Sequence, residues 1–218
     1  MKQTLVLPPR GDSVGQGTPE RLIAAVERLL AERDDLDPPL RDITRAAGAN
    51  VAAVNYHFGS KAALVTAIIE RAVTEHAREA LQVLDAISGA QPSAGVEEIL
   101  WAWMQVMVGM APNTVLGHVA ARILAGPPAE LAELVERATA EPQARLRKLL
   151  CDRLPQLSFE ELDFRVDMTV LALLMINRGG IRRAPFDGVR SDISDDTVAH
   201  WALAFIVGGI TAAPSPRP

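Results

Sequence analysis

Cysteine is nearly absent. The single Cys151 in 218 residues removes any internal disulfide and any CxxC zinc or redox pair. Aromatic residues are only 4% of the chain, so the core must be built from Ala, Leu, Val, Ile and Met, a set that favours helices over a β-sandwich. Long apolar runs are missing too. The longest, near Val170–Ile176 and Trp201–Ile210, fall well short of the roughly 20 residues that cross a bilayer. The opening MKQTLVLPPR holds too short an apolar stretch for a secretory signal. The expectation is a soluble cytoplasmic protein with no membrane partner. No block of five like charges occurs, so no basic tail is available to grip a polyanion.

What is present suffices for a folded protein. Apolar residues make up 49% and charged residues 22%, enough for a sizeable core in one large or two small domains. The net charge is −5, and its distribution is uneven. Met1 to Ala63 is neutral, with eight basic and eight acidic residues, so the excess acid lies entirely beyond it. An acidic protein can still bind DNA through a locally basic surface; composition alone neither supports nor excludes it.

The first 17 residues, rich in Gly and Pro and without period, read as a mobile tail. Thr18-Pro19-Glu20 then offers a cap, a first-turn proline and an acidic first turn. Leu22, Ile23, Val26, Leu29 and Leu30 repeat at helical spacing. A short second helix runs through Leu40, Ile43 and Ala46-Ala47 to Gly48. Asn50 caps a third over Val51–Phe58, ended by Gly59, and Ser60 caps a long fourth helix with the stripe Leu64, Ile68, Val73, Leu81, Leu84 and Ile87. Further helices are expected over Val96–Met110, Thr114–Leu124, Glu130–Leu154, Phe159–Arg178 and Thr197–Ile210, with a loop over Ile181–Asp196. The chain reads as all-α, without internal repeats.

Arg41–Phe58 has the layout of a helix-turn-helix: short helix, glycine turn, short helix. On a helical wheel Val51, Val54 and Phe58 share the packing face. Ala52, Ala53 and Tyr56 point away, flanked by Asn55 and His57. Two alanines let the backbone approach the major groove and put methyls near thymine methyls. Tyr56, His57 and Asn55 offer hydrogen-bonding groups, and Arg41 can reach guanine or phosphate. Lys61 at the start of the next helix makes a phosphate clamp. The alternative is a plain helical hairpin in which Tyr56 and His57 are half-buried packing residues.

Thr18–Leu64 resembles the DNA-binding domain of TetR-family regulators, through Asp42-Ile43-Thr44-Arg45-Ala46-Ala47-Gly48 and Asn55-Tyr56-His57-Phe58-Gly59-Ser60-Lys61-Ala62-Ala63-Leu64. The resemblance implies that the Tyr56, His57 and Lys61 positions touch DNA and that Arg41, Thr44, Ala52, Ala53 and Asn55 can. Departures are Asn50 for the common Ser or Thr cap, Asn55 for Leu or Tyr, and Ala63 for the Glu of a capping box. It further implies three regions: a tail over 1–17, a helix-turn-helix domain over 18–64, and a helical effector-binding and dimerisation domain over 65–213.

Other motifs carry less. Gly11-Asp12-Ser13-Val14-Gly15 matches a nucleophile elbow but lies in the tail behind Pro8-Pro9, without the strand and helix that an elbow needs. Gly15-Gln16-Gly17 lacks the third glycine of a dinucleotide site, and Gly59-Ser60-Lys61 lacks the first glycine of a phosphate loop. His76, His118 and His200 are scattered, without metal spacing. Cys151 reads as a core residue rather than a redox sensor. No cofactor, metal or catalytic residue is expected, and the chain is not expected to be an enzyme.

For the C-terminal half the resemblance implies a small-molecule effector and a homodimer. Val96–Met110 carries Trp101, Trp103, Met104, Met107 and Met110 with Gln105 among them. It is either a plain core helix or the wall of an apolar pocket in which Trp103, Gln105, Met107 and Met110 meet the ligand. His118 and Arg122, one turn apart, can meet a ligand carboxylate or form a solvated face. Phe159–Arg178 and Thr197–Ile210, the latter with Trp201, Ala204, Phe205 and Gly208-Gly209, either form a four-helix dimer interface or close the monomer core. The expected function is a repressor on pseudo-palindromic double-stranded operator DNA, released by a largely apolar effector. The alternative is a helical binding module whose helix-turn-helix has lost DNA affinity.

Overall fold

A computed structural model describes residues 17–32, 36–90, 93–108, 114–177 and 195–215. The expected tail before Gly17, Met110, and the expected loop up to residue 194 lie outside the described residues. Among those described there are helices and no strands: α1 (Thr18–Glu32), α2 (Leu40–Ala47), α3 (Val51–Phe58), α4 (Lys61–Ala90), α5 (Val96–Val108), α6 (Val115–Leu124), α7 (Ala129–Cys151), α8 (Phe159–Asn177) and α9 (Asp195–Thr211). None is long and apolar enough to cross a membrane.

Local chemistry accounts for most of the boundaries. The Asn50 side chain accepts the Ala53 amide at 2.9 Å and Ser60 Oγ the Ala63 amide at 3.1 Å, satisfying donors that a helix start leaves open. Thr114 does the same for α6 through the Gly117 amide at 3.1 Å. Thr18 does not act as a cap. It is already helical, its hydroxyl accepts from the Arg21 guanidinium, and the Arg21 amide reaches back to the Gly17 carbonyl at 3.2 Å. α9 starts at Asp195, inside the segment expected to be a loop. α7 runs unbroken through the buried Pro142.

Two apolar cores form. One gathers Leu22, Val26 and Leu30 of α1, Ile43 of α2, Val54 and Phe58 of α3, and Leu64 and Ile68 of α4. The other gathers Leu84 of α4, Leu100 and Met104 of α5, Leu146 and Leu150 of α7, Leu162 of α8 and Ile206 of α9. α4, with 30 residues, is about 45 Å long and belongs to both cores. α6 and α7 also straddle them, because Val115, Val119 and Leu134 join the first while Ala120 and Leu146 join the second. Arg71 of α4 pairs with Glu27 of α1 at 2.5 Å and fixes the two helices together.

The α2–α3 turn is a Schellman motif. The Gly48 amide donates to the Arg45 carbonyl at 3.3 Å and the Ala49 amide to the Thr44 carbonyl at 2.9 Å. This requires φ +57° at Gly48, where a Cβ would meet no heavy atom within 4 Å. Only backbone strain therefore opposes a side chain. Gly48→Val is expected to cost about 1–2 kcal/mol and Gly48→Asn less, since Asn tolerates the left-handed region. Urea unfolding of the two variants checks it; equal losses would contradict the strain argument.

Candidate DNA-binding surface and ligand cavity

The position of α3 follows from what it buries. Val54 and Phe58, one turn apart, sink into the first core at 0% and 7% exposure, which turns the opposite side outward. Ala52, Asn55 and Tyr56 are exposed there, Tyr56 to 85%. His57 is half-buried, its ring edge-on to Tyr56 at 4.9 Å between centroids. Arg41, at the start of α2, is also exposed. The spacing argument for the glycine turn, and for Ala52 and Tyr56 facing outward, is thereby met in geometry.

Three expectations need correction. Val51 does not pack with Val54 and Phe58 but is 46% exposed, because it stands in the first turn of α3, before that helix meets the core. Thr44 lies beneath the surface at 8% exposure with its hydroxyl donating to the Arg41 carbonyl, so it supports α2 rather than facing outward. Ala53 is only partly exposed and packs against the first core, leaving Ala52 as the open alanine.

Lys61 opens α4 beside this surface, and its Nζ pairs with the Asp37 carboxylate at 2.5 Å. Arg45 pairs with Asp42 at 3.2 Å on the same side. The Arg21 side chain donates to the Ala47 carbonyl at 3.1 Å, tying the end of α2 to α1.

Farther along α4 lies a cavity of about 330 Å³ lined by α4, α5, α6, α7 and α8. Trp103 and Met107 line it, with Ala77 and Ala80 of α4, Val119 and Ala120 of α6, and Leu174 of α8. Its polar residues were not legible in the sequence: His76, Thr139, Gln143 and Asp167. Most of their hydrogen-bonding capacity is already engaged. Thr139 donates to the Val135 carbonyl at 2.8 Å and accepts from Gln143 Nε2 at 2.9 Å. Arg147 donates to the Gln143 side-chain oxygen at 3.2 Å and to Asp167 at 2.8 Å. Burial holds the His76 imidazole below its ordinary pKa, partly opposed by Glu79, so it stays neutral at pH 7. Trp103 Nε1 is buried and has no hydrogen-bond partner among the described residues.

The other expected ligand residues go elsewhere. Gln105 points outward and is exposed, and Met110 is outside the described residues. His118 and Arg122 do not join Trp103. They line a second cavity of about 600 Å³, next to Leu36 and Asp37 of the α1–α2 connection and Thr66 of α4. α6 is the wall between the two spaces, with Val119, Ala120 and Ile123 on one side and His118, Ala121 and Arg122 on the other. His118 is buried, and Arg122 donates to the Gly126 carbonyl at 2.8 Å. Among the described residues no three His, Cys, Asp or Glu side chains are grouped to hold a metal.

A third feature is an apolar surface on α8 and α9. Phe164, Met168, Leu171 and Met175 form one stripe at i, i+4, i+7, i+11, exposed between 43% and 64%. Trp201 and Phe205, 59% and 77% exposed, continue it on α9. Arg165 sets the angle between these helices, donating to the carbonyls of Ile210, Ala212 and Ala213 at 2.7–3.0 Å.

Comparison with known proteins agrees with this layout. Residues 22–68 match the family model for bacterial regulatory proteins of the tetR family, and residues 114–209 match the model for the tetracyclin repressor-like C-terminal domain. No curated protein matches the chain significantly. With the first match on the helix-turn-helix and the second on α6 to α9, which supply part of the cavity wall and carry the apolar stripe, the chain belongs to the TetR family of DNA-binding transcriptional regulators.

Proposed function

We propose that this protein is a homodimeric repressor that reads a pseudo-palindromic operator with α3 and leaves it when a largely apolar effector enters the cavity around Trp103 and Met107. The observation that carries the reading is the course of α4. It begins at Lys61 beside the recognition surface, contributes Leu64 and Ile68 to the core that holds α3, and lines the cavity with His76, Ala77 and Ala80. A ligand pressing on that wall acts on the element that carries the DNA-reading helix. The effect must be reciprocal: a ligand lowering operator affinity about 100-fold has its own affinity lowered by the same factor, about 2.7 kcal/mol, when operator is bound.

In this reading Tyr56, His57 and Lys61 hold phosphates, while Arg41, Ala52 and Asn55 face base edges. A single recognition helix reads few base pairs, so specificity needs two, set about 34–36 Å apart by a two-fold dimer. Mobility shifts on the DNA upstream of the protein's own coding sequence, with a salt titration, test the reading; the absence of any salt-dependent shift would reject it. Lys61→Ala is expected to weaken all sequences equally and to lower the slope of log affinity against log salt by about one unit. A changed base preference in that variant would move Lys61 from phosphate to base contact.

A further inference from the structure

The cavity around Trp103 and Met107 is apolar along most of its wall and acidic at one end. On α8 the lining runs Asp167, Val170, Leu171 and Leu174, at i, i+3, i+4 and i+7. Asp167 starts that stripe with its side chain 60% exposed, whereas Leu174 is 7% exposed. The Asp167 carboxylate therefore marks the rim, open to solvent and to a bound group. Arg147 donates to it at 2.8 Å, but the same guanidinium also holds Asp163 and Gln143. One positive charge facing two carboxylates leaves a negative charge uncompensated at this end. Among the described residues no lysine or arginine lines the cavity, and His76 is neutral at pH 7. The chain's whole excess of acid also lies beyond Ala63, which favours cations over anions in this half of the molecule. An anionic group would meet a like charge and no counter-ion. A cationic group at the rim gains an ion pair while keeping part of its hydration, and so escapes the cost of a fully buried charge.

We propose that the effector is a cationic amphiphile, with a compact apolar body in the cavity and an ammonium at the rim on the Asp167 carboxylate. This rests on the reading of the cavity as the effector site and deepens it by giving the ligand's charge. The apolar body, packed against residues such as Met107, Val119 and Leu174, supplies most of the affinity. The ion pair, being exposed, selects among ligands of one shape.

Titration calorimetry of the full chain at pH 7 with three probes of nearly one shape tests it. The probes are 4-phenylbutylamine, which carries an ammonium at that pH, the neutral 4-phenyl-1-butanol, and 4-phenylbutyrate. The amine is expected to bind about threefold to fivefold tighter than the alcohol, and the carboxylate more weakly than the alcohol. Asp167→Asn keeps an acceptor for Arg147 and removes the charge. It is expected to bring the amine and alcohol level while leaving the alcohol's affinity unchanged. Salt gives a readout on the wild-type chain that does not depend on how the variant folds. The ratio of amine to alcohol affinity should shrink towards one at about 1 M salt, where the screening length is about 3 Å. Equal binding of amine and alcohol, tightest binding of the carboxylate, or an amine advantage that survives Asp167→Asn or high salt overturns this inference and leaves the cavity as the effector site. Failure of all three probes to bind overturns both.

Discussion

Phe205→Glu is expected to turn the proposed two-fold dimer into monomers at micromolar concentration and to lower operator affinity at least about 100-fold. Phe205 is the most exposed apolar side chain of the α8–α9 face, at 77%. It lies beside a groove of about 400 Å³ between the two helices, lined by Phe164, Met168, Met175 and Gly209 among others. Burying a large apolar side chain in a partner contributes about 1.5–3 kcal/mol. A two-fold interface uses each residue twice, so one substitution removes two such contributions and places two carboxylates in an apolar seam. The protomer itself loses little, because Phe205 packs against water in the isolated fold. The affinity loss follows from avidity: joining two half-site readers gains about 10²–10⁴ over either alone.

Sedimentation and thermal unfolding measured together decide the matter. A monomer with an unchanged protomer fold supports an interface on this face, and Trp201→Glu, one turn earlier, should behave alike. An undisturbed dimer in both variants would put the interface on another surface. Arg165, which also lines the groove, has a part in this geometry. By engaging the Ile210 carbonyl of α9 and the Ala212 carbonyl just beyond it while its Nη2 also holds Glu161 at 2.6 Å, it ties α8 to the end of α9.

The parts of this architecture that were legible in the sequence are those whose chemistry is local. Gly48, Asn50 and Ser60 each act within three residues of themselves, so turn and cap can be read without knowing the neighbours. The cavity was only half legible. Trp103 and Met107 are one turn apart and share a face, whereas Gln105 lies about 200° around the helix from Trp103 and emerges on the outside. A wheel drawn for that helix would have separated them. His118 and Arg122 share a face in the same way, but periodicity cannot say which face of α6 meets which neighbour, and theirs meets the α1–α2 connection. His76, Thr139, Gln143 and Asp167 come from three helices, α4, α7 and α8, and only tertiary packing brings them together. Thr44 and Val51 show the same limit: one is covered and the other left bare by the way α3 sits on the first core.

Ala52→Glu is expected to abolish operator binding, with a loss of at least about 100-fold, while thermal stability and dimerisation stay as they are. Ala52 is exposed in the first turn of α3, so the new side chain displaces nothing in the protein, and Glu is a good helix former favoured at a helix start. The fold gives no reason for a defect. The DNA does: a carboxylate placed where the reading helix enters the groove faces phosphates and base acceptors at close range, and a like-charge contact of this kind costs several kcal/mol. The matched control is Ala86→Glu, which adds the same charge at an exposed site on α4. That site is 25 residues beyond Lys61, about 37 Å along the helix axis and well outside the screening length of about 8 Å at physiological salt. Its operator affinity should stay within about threefold of the unchanged protein. Mobility shifts of both variants beside their melting curves separate the outcomes. A wild-type shift from Ala52→Glu would remove α3 as the reading helix, and an equal loss in Ala86→Glu would mean that net charge, rather than the α3 surface, governs binding.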